Sequence, residues 1–145
     1  EPPEAVAKSS DYAGRWVLLV ESYAASLVAE TRMLESFGLR IQMAADAEEA
    51  RETLREEDGC ALVLLAEMVS VANTCDTIKA IRQDAPAGTL PLVIIGRFGE
   101  AQARDSYLDA GAQDFVAKPM TRSRLGVVLA ANLGAGEQLI KQETA

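Results

Sequence analysis

Five short apolar runs, each followed by an amphipathic stretch, constrain this chain more than any other feature. The runs are Trp16–Val20, Leu39–Ala44, Ala61–Leu65, Leu92–Ile95 and Asp114–Ala117. Each is strand-sized, and turn-forming residues such as Gly38, Gly59 and Gly111 bound them. The segments between them carry helical patterns. Ala24–Phe37 sets Leu27, Val28, Met33, Leu34 and Phe37 on one stripe. Asp46 stands as an N-cap before Ala47–Glu57. Asn73 or Thr74 would cap Thr77–Gln83, Glu100–Ala110 would end at Gly111, and Thr121 would cap Arg122–Leu133.

Strand–helix alternation repeated in this way predicts an α/β fold, with a parallel sheet and helices on both faces. The third and fourth runs are apolar throughout, as strands covered on both sides require. The second, LRIQMA, alternates and fits an edge strand. The expected arrangement is a doubly wound, flavodoxin-like, five-stranded sheet in the order 2-1-3-4-5. Ligands gather at the carboxyl edge of such a sheet, beside its switch point. Glu21, Ser22 and Ala66 should meet there.

Length and composition narrow the function classes. A chain of 145 residues suits one domain with its own core. Residues 1–14 read as a linker, 15–134 as the domain and 135–145 as a tail towards another domain. The net charge of −8 argues against contact with DNA, which recruits a basic surface. The absence of histidine excludes a phosphohistidine donor and a histidine-based triad. Cys60 and Cys75 lack metal-ligand spacing and read as structural thiols; Met33, Met43, Met68 and Met120 read as core fillers. No run reaches the roughly 20 residues of a membrane span, and Glu1–Ser10 has no leader-like apolar core. The expected location is cytoplasmic, with no membrane contact.

Five motifs stand in register along the chain: VLLVES at Val17–Ser22, ALVLLAEM at Ala61–Met68, PLVIIGR at Pro91–Arg97, AKPM at Ala117–Met120, and Phe115 between them. Together they resemble the receiver domain of two-component response regulators, the CheY-like fold, over about Trp16–Leu133. The resemblance implies two acids after the first strand that hold Mg²⁺, and a phosphoacceptor aspartate after the third. It also implies a hydroxyl after the fourth strand, a lysine after the fifth and an aromatic switch residue. Here Glu21 stands for the first acid, Ser22 for the second, Ala66 for the acceptor and Gly96 for the hydroxyl, while Lys118 and Phe115 keep their places.

These departures set the expectations. A methyl group cannot accept a phosphoryl group, and Glu21 alone holds too little charge for Mg²⁺. No catalytic residue, metal or cofactor is therefore assigned. Glu67 is one residue late, and strand alternation should turn it away from the crevice. Lys118 should pair with Glu21. A non-phosphorylatable pseudo-receiver would act as an interaction module in a phosphorelay, within a hybrid histidine kinase or beside one. Its partner would be a histidine kinase, a receiver or an output domain, in the same or another chain. The family's usual partner face, here built from the fourth helix, fifth strand and fifth helix, would carry Arg97, Arg104, Tyr107, Phe115 and Arg122. The alternative is a ligand sensor whose arginines and rings bind an anionic nucleotide such as a cyclic dinucleotide.

Overall fold

The structure, a computed structural model, describes residues 12–83, 90–96 and 101–133. Its strands are β1 (Trp16–Val20), β2 (Arg40–Ala44), β3 (Cys60–Ala66), β4 (Leu92–Gly96) and β5 (Asp114–Ala117). The helices are α1 (Ala24–Glu35), α2 (Ala47–Glu56), α3 (Val71–Arg82), α4 (Ala101–Ala110) and α5 (Arg122–Leu133). All strand pairs are parallel, and the sheet order is β2-β1-β3-β4-β5, the flavodoxin-like arrangement. No described helix is long and apolar enough to cross a membrane.

Alternation of side chains along the buried strands divides the core in two. Val17, Leu19, Leu62, Leu64, Val93 and Ile95 pack against α1 and α5. Leu18, Val20, Val63, Leu65, Leu92 and Ile94 pack against α2, α3 and α4. The register pairs Val20 with Leu65, Ala66 with Ile95 and Gly96 with Ala117. The carboxyl ends of β1, β3, β4 and β5 are therefore held side by side along one edge.

Local sequence explains most boundaries. Asp46 Oδ1 accepts from the Glu49 amide at 2.9 Å, while Glu49 accepts from the Ala45 amide at 2.8 Å. This reciprocal pair closes the start of α2. Thr121 accepts from the Arg124 amide at the start of α5. The third helix begins earlier than Thr77: Ser70 is its cap, accepting from the Asn73 amide at 3.0 Å. The Asn73 or Thr74 cap expected from sequence is corrected accordingly, and Thr74 is instead fully buried one turn inside the helix.

Three further expectations change. Val28 and Met43 are exposed rather than in the core. On α1 the inward position between Leu27 and Leu34 is taken by Glu30, which is buried. Tyr12, placed by sequence in the linker, is buried edge-on against Phe37 with ring centroids 6.2 Å apart. Residues 135–145 lie outside the described residues.

The turn from α4 into β5 depends on Gly111, whose φ of +127° is one that L side chains rarely adopt. A Cβ there would also stand 3.1 Å from Cγ of Arg82, whose guanidinium donates to the Gly111 carbonyl. Gly111→Ala should lower stability by about 1–3 kcal/mol. Urea unfolding followed by circular dichroism checks this; an unchanged midpoint would contradict it.

Candidate functional site

The aligned strand ends open into a cleft of about 1040 Å³ whose lining includes Glu21, Ser22, Glu67, Asp76, Gly96 and Lys118. The phosphoacceptor position does not present a reactive group to it. Ala66 is the last residue of β3, paired with Ile95 and 2% exposed. Ser22 is exposed at the cleft mouth.

The acidic side is built by β1 and α1. The Glu21 amide continues the ladder by donating to the Ala44 carbonyl at 2.9 Å. Its carboxylate accepts from the Tyr23 amide at 3.1 Å and is almost completely buried. Glu30 reaches the same place from α1. Burial pushes its carboxyl from 4.5 up to about 8, and the neighbouring Glu21 adds to the shift through its charge and a shared hydrogen bond. Lys118 pulls weakly in the opposite direction. Oε1 of both glutamates is buried with no donor from any other group.

This arrangement corrects the expected Lys118–Glu21 pair. Lys118 instead approaches Glu30, Nζ lying 3.9 Å from Oε2. The Lys118 amide donates to the Gly96 carbonyl at 2.7 Å, which fixes the root of the side chain at the sheet edge. Glu30 escaped sequence reasoning because the stripe on α1 was read from apolar residues alone. The inward phase of Leu27 and Leu34 was the available signal.

Glu67 also departs from expectation. Its amide still donates to the Ile95 carbonyl at 2.8 Å, but the chain then bends. The bend is held by Thr74, whose hydroxyl accepts from the Met68 amide and donates to the Ser70 carbonyl. Glu67 keeps the phase of Val63 and Leu65, and on that face its side chain is part of the cleft lining rather than turned away from it. There Oε2 accepts from the Tyr107 hydroxyl at 2.5 Å. Burial, reinforced by this hydrogen bond, raises the Tyr107 phenol well above its ordinary value.

The donors do not fit the divalent cation that the family resemblance implies. Mg²⁺ takes near-octahedral oxygen ligation. Ala66 offers no oxygen, Glu21 is engaged with Tyr23 and Glu30, and Glu67 is turned towards Tyr107. Among the described residues no group of three or more His, Cys, Asp or Glu side chains could hold a metal ion.

The expected partner-face residues divide. Tyr107 is 1% exposed, so it supports the face from inside instead of contacting a partner. Its ring stacks on Phe115, with centroids 6.2 Å apart and planes at 12°. The Arg104 guanidinium lies 5.8 Å from the Phe115 centroid. Arg122 turns the other way: it covers the Phe37 ring at 4.3 Å and donates to Ser36. Arg97 lies outside the described residues. The two cysteines are free thiols bonded to backbone carbonyls.

Comparison with known proteins agrees with this geometry. The model of the response regulator receiver domain matches residues 17–130. The two-component response regulator ORR41 of Oryza sativa subsp. japonica is 33% identical over 69 residues, 48% of this chain and 53% of that protein. The transcriptional regulatory protein CpxR of Escherichia coli K12 is 32% identical over 93 residues, 64% of this chain and 38% of CpxR. The chain thus spans about half or less of these curated relatives. Among solved structures, the receiver domain of the sensor histidine kinase PA1611 of Pseudomonas aeruginosa superposes with a TM-score of 0.74. It is 26% identical over 84% of this chain and 99% of that one. That receiver carries magnesium coordinated in its active-site cleft.

The Glu30 carboxyl makes a pH-dependent contribution to stability. Its folded-state value, about 8, lies above the unfolded value, so the folded protein binds the additional proton. The stabilisation is complete below the unfolded value of 4.5 and is lost as pH rises through about 8. Glu30→Gln, neutral at every pH, should remove a slope of about 1 kcal/mol per pH unit across that window. It should leave the variant more stable than the parent at the alkaline end, by about 1–3 kcal/mol. Denaturant titrations through the window measure both; parallel profiles for the two proteins would contradict the acid pair.

Proposed function

Because the chain belongs to the response regulator receiver domain family of two-component signalling, we propose that it is a pseudo-receiver, unable to take a phosphoryl group and acting through protein contacts. The observation that carries this reading is Ala66. It occupies the acceptor place at the end of β3 and is buried in the sheet edge. A carboxylate must attack phosphorus for an acyl phosphate to form, and a methyl group has no lone pair for that step. Lys118, the cation that would stabilise a transferred phosphoryl group, lies beside Glu30 instead of an acceptor carboxylate. On this reading the domain is regulatory and has no enzymatic activity of its own.

What remains for function is surface. We place the partner contact on α4, β5 and α5. Arg104 and Leu108, one helical turn apart, are exposed on α4, and the Arg104 guanidinium lies over the Phe115 ring of β5. An arginine and an apolar side chain over a rigid aromatic base make a plausible binding centre. The partner is a histidine kinase, a receiver or an output domain of the same phosphorelay, on the cytoplasmic side of the cell. The parent chain would be a hybrid histidine kinase or a similar multidomain protein. The anionic-nucleotide reading has less to rest on. Tyr107 is buried and Arg122 is directed to Phe37, so neither joins Arg104 in one pocket.

Two measurements test the proposal. Treatment with acetyl phosphate and Mg²⁺ should leave the intact mass unchanged; a phosphoryl adduct mapped to Glu67 or Glu21 would refute it. In the intact parent protein, Arg104→Ala and Leu108→Ala should weaken the signalling output several-fold at unchanged Tm. Ser22→Ala in the cleft should leave output unaltered. Loss of output in the cleft variant, with both face variants silent, would place function elsewhere.

A further inference from the structure

The space above Gly96 is filled twice. A Cβ at that position would lie 2.7 Å from Oε1 of Glu67 and 2.9 Å from Cε2 of Phe115. Real Cβ atoms do not approach other heavy atoms so closely, so any side chain at position 96 requires both the Glu67 carboxyl and the Phe115 ring to shift. Gly96 is therefore more than a lost hydroxyl. It is the condition under which a carboxylate from the end of β3 and a ring from β5 can occupy the same corner.

The corner continues into the helices. Tyr107 on α4 donates its hydroxyl to Glu67, and its ring stacks on Phe115. Thr74 on α3 bears on the same phenol and is itself held by the Met68 amide and the Ser70 carbonyl. Arg104, one turn before Leu108 on α4, lies over the outer ring. β3, β4, β5, α3 and α4 thus converge on one carboxylate. A buried phenol left without an acceptor is costly, so the Glu67 contact orients Tyr107 and, through the stack, Phe115.

We propose that Glu67 is a built-in anchor for the α4–β5 surface, a fixed hydrogen-bond acceptor that holds the Tyr107–Phe115 stack and Arg104 in one arrangement without any modification of the site. The consequence for binding rests on the interaction-module reading: the contact face is presented constitutively. Two separate clusters then divide the cleft. Glu30 lies between Glu21 and Lys118 on the α1 side, while Glu67 is tied to Tyr107 on the α4 side. The face on α4 is governed by the second cluster.

The test uses the whole chain and aromatic NMR, with stability measured alongside. Glu67→Ala and Tyr107→Phe should each abolish the cross-peaks between the rings at positions 107 and 115 and increase amide exchange in α4 and β5. Glu67→Gln, which keeps an acceptor for the phenol, should retain them. Gly96→Ala should reproduce the loss. The stability cost of Gly96→Ala should be smaller in the Glu67→Ala background, because the vacated corner accommodates the methyl group. Additive costs, or cross-peaks that survive Glu67→Ala and Tyr107→Phe, would overturn the anchor. The functional reading is scored separately by signalling output. Lost cross-peaks with undiminished output would keep the anchor and reject this surface as the contact face.

Discussion

Parallel pairing of strands that are buried on both faces is the constraint on which everything else rests. β1, β3 and β4 contain no polar side chain, so they can pair only in the middle of a covered sheet. Right-handed crossovers then deliver every strand with its carboxyl end at the same edge. Glu21, Ala66, Gly96 and Lys118 become neighbours through this topology, although nearly 100 residues separate the first from the last (on the order of a whole small domain). The frame of a phosphorylation site thus survives as a by-product of the fold.

Within that frame the polar groups satisfy one another. Glu30 introduces a carboxyl where α1 faces the core, and burial beside Glu21 pushes it well above the ordinary carboxylate range. Lys118 finds Glu30 at the edge of the same cluster. Across the cleft, Glu67 and Tyr107 satisfy each other. Each pairing removes a group that chemistry on a phosphoryl group or a metal ion would otherwise recruit.

The strands and the sheet order were legible because a period of two, long apolar runs and glycine-bounded turns all pointed to one architecture. Helix boundaries were legible where a cap residue was unambiguous, as at Asp46 and Thr121. Ser70 was missed because Asn73 and Thr74 offered competing cap chemistry a turn later. The site was less legible, for two reasons. Strand alternation puts Glu67 on the face of Leu65, and only the packing of α4 against that face makes it part of the cleft lining. Hydrophobic patterning cannot register a buried carboxyl such as Glu30, whose partners come from distant segments. Tyr107 illustrates the converse: its residue type suggested a contact surface, while its inward phase on α4 made it a support.

The central claim is that the carboxyl groups of this cleft are occupied by the protein itself. Carbon-13 NMR of the glutamate side-chain carboxyls, titrated with and without Mg²⁺, tests it most directly. The account predicts that the Glu30 carboxyl titrates near 8 and that Mg²⁺ leaves the Glu21 and Glu67 resonances where they were. Titration of Glu30 in the ordinary carboxylate range, together with a saturable Mg²⁺ shift at Glu21, would contradict it.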